Sequence, residues 1–309
     1  EQEKIDVRYS MLFADCELII CRNTEFHFNA GFDYSSHSWA YSVFSCCTSV
    51  TCEDMLIFYK EDFPRTEARV FEEVNDIKCS NVDFQNCTTI AEESCNLVIR
   101  SSAVDGQIAN CGNVQIYNTE FRTWPAVDNC ENVAVGIEVD VFNSLTEVEK
   151  GEYYTSFNSE GIVNSDNVYL ANIRLDSDIP DSGPVPQYRG IAGDCENVYG
   201  FENYLADPAG YTSIPSENRR IYIETGWLAR GTQNIELCNI RTNDMAILFV
   251  DCENITIDGS GFPEQEKIDV RYSMLFADCE IITCRNTEFH FKAGFDDSRH
   301  SWAYSVFSC

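Results

Sequence analysis

A short pattern of polar and apolar positions recurs along the chain: a cysteine or another small residue, any residue, an asparagine, and then apolar residues at alternate positions. Apolar residues two apart face the same side of a β-strand, so the pattern predicts a strand after each asparagine. Another short apolar piece precedes most of these segments, as at Phe13, Ile108 and Phe249. The predicted order is therefore strand, tight turn with an asparagine, strand. The clearest segments begin at Cys79, Cys111, Cys130, Ser165, Cys195, Thr232 and Cys252.

The spacing of these segments predicts a stack of short coils. Successive asparagine-equivalent positions lie about 26 residues apart on average, which is roughly the length that three short strands and their turns require. Asn96 follows Asn81 after only 15 residues, and this short gap favours another face for Asn96 and nine coils rather than ten. Longer gaps are interpreted as side loops, at residues 23–45, 141–159, 177–189 and 206–231.

A much larger repeat encloses the small one. Residues 264–309 repeat residues 1–46 at an offset of 263 (264 − 1), with five differences: Leu18/Ile281, Ile20/Thr283, Asn29/Lys292, Tyr34/Asp297 and Ser36/Arg299. Tandem copies of a whole unit are typical of long, quasi-one-dimensional proteins. We expect residues 1–263 to form one complete β-helical repeat unit. Residues 264–309 are then the start of the next tandem copy and continue the same solenoid.

Stacking gives the recurring asparagines and cysteines a structural interpretation. Equivalent positions of stacked coils lie about 4.8 Å apart, so asparagine side chains there can pass hydrogen bonds along a ladder. The predicted ladder contains Asn81, Asn113, Asn132, Asn167, Asn197, Asn234 and Asn254. The predicted stacked core cysteines are Cys16, Cys52, Cys79, Cys111, Cys130, Cys195, Cys252 and Cys279. Small apolar core residues and disulfide staples both fit that spacing.

Two segments resemble a known family. NSDNVYLANIRLDS (residues 164–177) and DMAILFVDCENITIDGSGF (residues 244–262) look like the repeats of right-handed parallel β-helix proteins of the pectin-lyase-like class. The resemblance covers nearly all of residues 1–263. It implies an all-β, right-handed parallel β-helix of about nine or ten coils with long side loops. It implies little about function, because that scaffold carries lyases, hydrolases, adhesins and structural shafts. Cysteine-bearing leucine-rich repeats are the alternative, although their Leu-x-x-Leu-x-Leu frame is not met.

The charge balance restricts the partners. The chain carries 51 acidic and 21 basic residues, a net charge of −30, so it repels phosphate backbones and nucleic acid is excluded as a partner. No apolar stretch approaches the length of a membrane-spanning helix. The acidic surface is interpreted as solubilising, and calcium is the one cofactor that carboxylate-rich loops favour. The candidate calcium ligands are Asp176, Asp178 and Asp181, although Pro180 and Asp181 depart from the calcium-hand pattern.

No catalytic residues are predicted. Polygalacturonase-like hydrolases of the resembling class would imply Gly-His-Gly and Arg-Ile-Lys segments, which the chain lacks, and Asp296-Asp297 has Asp33-Tyr34 as its counterpart in the first copy. No nucleophile elbow, phosphate loop or dinucleotide fingerprint is present. The four histidines are two positions seen twice, His27/His290 and His37/His300. They are interpreted as packed or loop residues.

These observations favour a structural protein. Asn86 and Asn254 lie in N-glycosylation sequons, which favours an extracellular or cell-surface location. We expect a filament or surface shaft built from tandem, end-to-end stacked β-helix units. Its partners would be further copies of itself and glycans. The alternatives are a polysaccharide-active lyase or hydrolase with a carboxylate-lined groove along one coil face, and an adhesin that binds glycans through its long loops.

Overall fold

The computed structural model describes residues 3–7, 12–28, 42–60, 68–123, 125–158, 160–175, 190–201, 213–246, 248–259, 266–270, 275–291 and 307–308. The first eleven strands are β1 (Glu3–Val7), β2 (Phe13–Ala14), β3 (Leu18–Arg22), β4 (Thr24–Phe28), β5 (Ser42–Ser45), β6 (Ser49–Tyr59), β7 (Arg69–Glu72), β8 (Asp76–Gln85), β9 (Thr89–Glu92), β10 (Cys95–Arg100) and β11 (Ala103–Val104). The next eleven are β12 (Gln107–Ala109), β13 (Gly112–Tyr117), β14 (Glu120–Phe121), β15 (Val127–Asp128), β16 (Glu131–Gly136), β17 (Thr155–Phe157), β18 (Ile162–Val163), β19 (Asp166–Leu170), β20 (Ile173–Leu175), β21 (Gly190–Gly193) and β22 (Glu196–Gly200). The remaining strands are β23 (Ile221–Arg230), β24 (Gln233–Leu237), β25 (Ile240–Ala246), β26 (Phe249–Val250), β27 (Glu253–Asp258), β28 (Glu266–Val270), β29 (Phe276–Ala277), β30 (Glu280–Arg285), β31 (Thr287–Phe291) and β32 (Phe307–Ser308).

The strands pair in parallel and form two large sheets, joined through β23, which contributes to both. Partners in space lie a few strands apart in the chain: β13, for example, pairs with β10 on one side and with β16 on the other. Strands β28 and β31 form a separate parallel pair. The predicted all-β class with parallel sheets is confirmed, and the regular interval between partners is compatible with a solenoid.

The core is organised in columns, where a column is a set of positions that the register places side by side in successive parallel strands. The inner column contains Ile19, Val50, Ile77, Leu97, Val114, Val133, Val168, Val198, Ile235, Ile255 and Ile282. All but Ile282 are at most 8% exposed. Fully burying one such side chain stabilises the fold by about 1.5–3 kcal/mol relative to leaving it exposed. A parallel aromatic column begins with Phe13, Phe44 and Phe71, whose rings stack at 5.3 and 5.1 Å.

Left-handed turn residues lie between the strands. Within the described part of the chain, 27 residues other than glycine have positive φ, and 17 of them are asparagines. Asparagine adopts this conformation at less cost than most residues, because its short side chain can hydrogen-bond to nearby backbone groups. The recurring asparagines of the sequence pattern therefore mark points where the backbone must turn sharply between strands.

One of the predicted side loops is helical. Helices α1 (Val139–Ser144) and α2 (Glu147–Glu152) occupy most of residues 141–159. Thr146 and Glu149 cap α2 reciprocally, through the side chain of each and the backbone of the other. Phe142 of α1 packs with Tyr153 and Phe201 in a second, smaller apolar cluster on the outer side of the sheet. The insertion is thus fixed to the strands rather than projecting from them.

The other predicted loops differ from one another. Residues 206–231, predicted as a loop, contain a 3₁₀ turn at Ser216–Asn218 and the ten-residue strand β23. Residues 23–45 contain β4, and the loop predicted at 177–189 lies outside the described residues. Where helices are described, none is both long enough and apolar enough to cross a bilayer.

Candidate functional site

The structure brings most of the predicted ladder asparagines into one column, which we call the asparagine column. It consists of the positions that directly precede the inner column. Asn113, Asn132, Asn167, Asn197, Asn234 and Asn254 lie in it, together with Asn96 and Asp76. Asn96 therefore lies on the same face as the others and not on another face, contrary to what its short spacing favours.

Asn81 belongs to a neighbouring column. Met55 pairs with Val82, so Asn81 aligns with Asp54 at a second turn. The amide of Asn81 donates to Asp54 Oδ1 at 2.7 Å. The reason is the length of β8, which runs through both turn positions: Asp76 occupies the asparagine column, and the motif at Cys79 falls at the second turn.

Side-chain hydrogen bonds connect the asparagine column in two runs. In the first run, Asn113 donates to Asn96 Oδ1 at 3.1 Å and Asn132 donates to Asn113 Oδ1 at 3.3 Å. In the second, Asn254 donates to Asn234 at 3.2 Å and Asn234 to Asn197 at 3.1 Å. The runs are interrupted where Asn197 donates to Asp166 Oδ1 at 2.8 Å. These contacts hold turns together and offer no chemistry for catalysis.

Most of the described cysteines occupy one of two positions in the coil. One group directly follows a left-handed turn and donates its thiol to the carbonyl oxygen two residues earlier, at 3.1–3.3 Å: Cys16, Cys47, Cys111, Cys130, Cys195, Cys252 and Cys279. Ser94, Ser165 and Thr232 make the same contact at the same position. A small hydrogen-bond donor is what the turn requires, which explains why cysteine, serine and threonine alternate in the sequence pattern.

Cys52 and Cys79 occupy the second position. They face the core within β6 and β8 and align with Cys21 of β3. Cys52 and Cys79 are completely buried, and the fifteen described cysteines are all free thiols. Burial, reinforced by the neighbouring Cys52, raises the pKa of Cys21 to about 12. Buried thiols with raised pKa values remain protonated and unreactive near neutral pH.

The junction between the two sequence copies is continuous. β29 and β30 of the second copy pair in parallel with β26 and β27, the last strands of the first unit, so that Ile255 aligns with Ile282 and Phe249 with Phe276. The two phenylalanine rings stack at 5.4 Å with 7° between their planes. The amide of Glu280 donates to the carbonyl of Cys252 at 2.9 Å. The same kind of pairing joins neighbouring strands inside the unit, such as β24 and β27.

An open groove of about 870 Å³ lies beside the second turn column. Its polar lining includes residues of β6, β8, β14, the end of α2 and the segment around β17: Asp54, Asn81, Asp83, Glu120, Glu152, Tyr154 and Asn158. Arg122 lies next to it, 3.0 Å from Glu120 and 3.5 Å from Asp83. The pKa of Arg122 is raised, chiefly by its hydrogen bond to Glu120. The groove is therefore lined mainly by carboxylates, amides and hydroxyl groups.

The remaining candidate residues from the sequence are the three calcium ligands and the histidines. Asp176, Asp178 and Asp181 lie outside the described residues, and within the described ones no group of three or more potential ligands could hold a metal ion. His27 lies 2.9 Å from Glu25 and against Phe58.

The two sequon amides are both engaged in hydrogen bonds. Asn86 donates to the carbonyl of Tyr59 at 2.9 Å. Asn254 donates to Asn234 within the asparagine column.

No protein-family model matches the chain, and no curated protein matches it.

Proposed function

We propose that the protein is a structural shaft in which right-handed parallel β-helix units stack end to end in one chain. The observation that carries the proposal is the junction. Strands β29 and β30 of the second copy continue both sheets of the first unit in register, with the hydrogen bonds and ring stacking that join strands inside the unit.

Edge exposure supports the same proposal. The last strands of a sheet present unpaired backbone groups, and proteins usually block such edges with charges, bulges or a covering element. In this chain the edge of β27 is covered by the next copy of the unit. When the next copy of the unit covers this strand edge, no separate capping element is needed. Successive units then extend the stack along one axis.

The register gives the proposed dimensions. From Ile19 to Ile282 the inner column contains eleven residues, which correspond to ten steps between stacked coils. At about 4.8 Å a step, one unit advances the shaft by roughly 50 Å. A location outside the cell or at its surface, where glycans and neighbouring shafts meet the sides, belongs to the same proposal and rests on the sequons.

Electron microscopy of the native material, with averaging along any fibre, tests the proposal. We expect rods with an axial repeat near 50 Å and a rung spacing of about 4.8 Å. Compact, capped particles without an axial repeat would contradict it.

A second candidate function is glycan binding along the polar groove. The favouring observation is its size, about 870 Å³, with carboxylates, amides and the ring of Tyr154 in its lining. Screening the chain on a glycan array, beside Asp83→Asn and Tyr154→Ala variants, tests it. Signals that both variants retain in full would exclude the groove as the binding surface.

A further inference from the structure

Several arginines in the described part of the chain form ion pairs with carboxylates. Arg22 lies 2.6 Å from Glu53, and Arg100 lies 2.7 Å from Glu138. Arg69, Arg122 and Arg285 also have carboxylates within 4 Å. With 51 acidic residues for 21 basic ones, a carboxylate partner is easily found.

Arg174 and Arg220 differ from these arginines. Both line a small cavity of about 180 Å³ between the end of α2 and the 3₁₀ turn at Ser216–Asn218. Among the described residues, neither of them has a carboxylate within ion-pair distance. The one carboxylate in the lining, that of Glu217, is on an exposed residue.

A third arginine adds to the positive potential. This third arginine is Arg241. Arg174 aligns with Tyr222 of β23, and Tyr222 aligns with Arg241 of β25, so Arg174 and Arg241 lie two strands apart in the same column. Burial lowers the pKa of Arg220, and the charges of Arg174 and Arg241 lower it further. The exposed carboxylate of Glu217 acts in the opposite direction. Like charges held together destabilise a fold, and an anion bound between Arg174 and Arg220 would reduce that repulsion further.

The geometry of Arg174 suits such a role. Its guanidinium lies over the ring of Tyr154, 3.8 Å from the centroid, and donates one hydrogen bond to the carbonyl of Gly151 at 3.2 Å. A guanidinium has five N–H donors, so most of them remain for a ligand. Capping the end of α2 explains the bond to Gly151. Helix capping does not explain the position of Arg220, which lies over the ring of Tyr222.

We propose that Arg174 and Arg220 bind a tetrahedral oxyanion, sulfate or phosphate, in this cavity. The planar fork of arginine matches the oxygens of such an anion and can bind them in pairs. The anion is either a free inorganic ion or a sulfate or phosphate ester carried by a sugar. The site is independent of the proposed shaft: it requires only the fold around β20, β23 and α2.

Titration calorimetry of the 309-residue chain at low ionic strength tests the proposal. Sodium sulfate and sodium phosphate are expected to bind saturably, and Arg220→Gln should weaken the binding at least tenfold. Arg22→Gln removes the same charge from an exposed ion pair and should leave the binding within twofold of the unaltered chain. Glu217→Gln, which removes the opposing charge, should tighten it. As a control for folding, the melting temperature of Arg220→Gln should equal or exceed that of the unaltered chain.

A comparison of glucose 6-sulfate, glucose 6-phosphate and glucose identifies the source of the anion. Tighter binding of an ester than of the inorganic ions assigns the site to a modified sugar, and the reverse order assigns it to the free ion. Absence of saturable binding of every one of these anions would overturn the proposal. So would an Arg220→Gln variant that binds them as well as the unaltered chain.

Discussion

Residues 12–28 and 275–291 have nearly the same sequence in different surroundings. Both form the same strands, and β1 pairs with β4 in the register that β28 uses with β31. Their exposure differs. Residues 275–277 are at most 9% exposed because β26 lies against them, whereas Leu12 and Phe13 are partly exposed and Ala14 is exposed. No strand described by the structure pairs with that side of β2 and β3. Further along the strands the order is reversed: Ile19 and Phe26 of the first copy are buried, whereas Ile282 and Phe289 of the second are only partly buried. Local sequence therefore determines the strands, and the strands stacked on either side determine their burial.

The largest expected effect comes from removing an aromatic ring at the junction. Phe276→Ala should destabilise the second copy by about 3–5 kcal/mol, because the ring is 1% exposed and stacked on Phe249. Phe13→Ala removes the equivalent ring of the first copy, which is partly exposed, and should lower the free energy of unfolding by about half as much. The amide of Asp251, which donates to the carbonyl of Ala277, reports on the junction. Its hydrogen exchange should accelerate in Phe276→Ala alone, and equal acceleration in both variants would show that the junction is not specific.

A smaller effect, in the stabilising direction, is expected at the first sequence difference between the copies. Ile281 has φ of +50° in the asparagine column, whereas its counterpart Leu18 is not among the residues with positive φ. The left-handed conformation costs a β-branched residue about 1–2 kcal/mol. Ile281→Asn should recover about 1 kcal/mol of that and extend the ladder to Asn254.

Leu18→Asn is the matched control for that substitution and should change stability little. Hydrogen exchange of the amide of Glu280, which bonds to the carbonyl of Cys252, measures the gain. A gain of the same size in both variants would indicate a general surface effect rather than relief of a strained turn.

Thiol reactivity distinguishes the copies most finely. Cys21 is half-buried with a pKa raised to about 12, whereas Cys284, the same residue of the second copy, is exposed. Iodoacetamide at pH 8 should therefore alkylate Cys284 well before Cys21. Peptide mapping after graded exposure measures both rates. Faster labelling of Cys21 would contradict the difference in burial between the two thiols.

The same pKa shift predicts an alkaline loss of stability. Folding raises the pKa of Cys21 from 9.0 to about 12, so its contribution is fully present below pH 9 and is lost as the pH rises through about 12. Cys21→Ala should lose less stability than the unaltered chain between those pH values. Urea unfolding of both proteins at pH 8 and pH 11 measures the difference, and equal losses would contradict the prediction.

The sequence predicts the strands well because their two-residue apolar period and the asparagine turns are local signals. Asn81 and Asn96 show the limit: each has the right neighbours, but only the register reveals which one aligns with Asn113. Helix α2 could have been found from Thr146 and Glu149, which form a capping box in the sequence.

The two cavities were beyond sequence reasoning. The polar groove joins residues as far apart as Asp54 and Asn158. The small cavity joins Lys150 to Arg220. Neither set is close in sequence or shares a motif, and only the stacking of the strands brings each together.

The orientation of the strands has a mechanical consequence. In a stack of parallel strands the hydrogen bonds run along the proposed shaft axis, so a pull at its ends separates one coil at a time instead of shearing all strands at once. Each coil that detaches releases about 26 residues, or roughly 90 Å of extended chain. Such a shaft would be stiff under a small load and would lengthen in steps under a large one. Force spectroscopy of single molecules should record a series of low, regularly spaced force peaks.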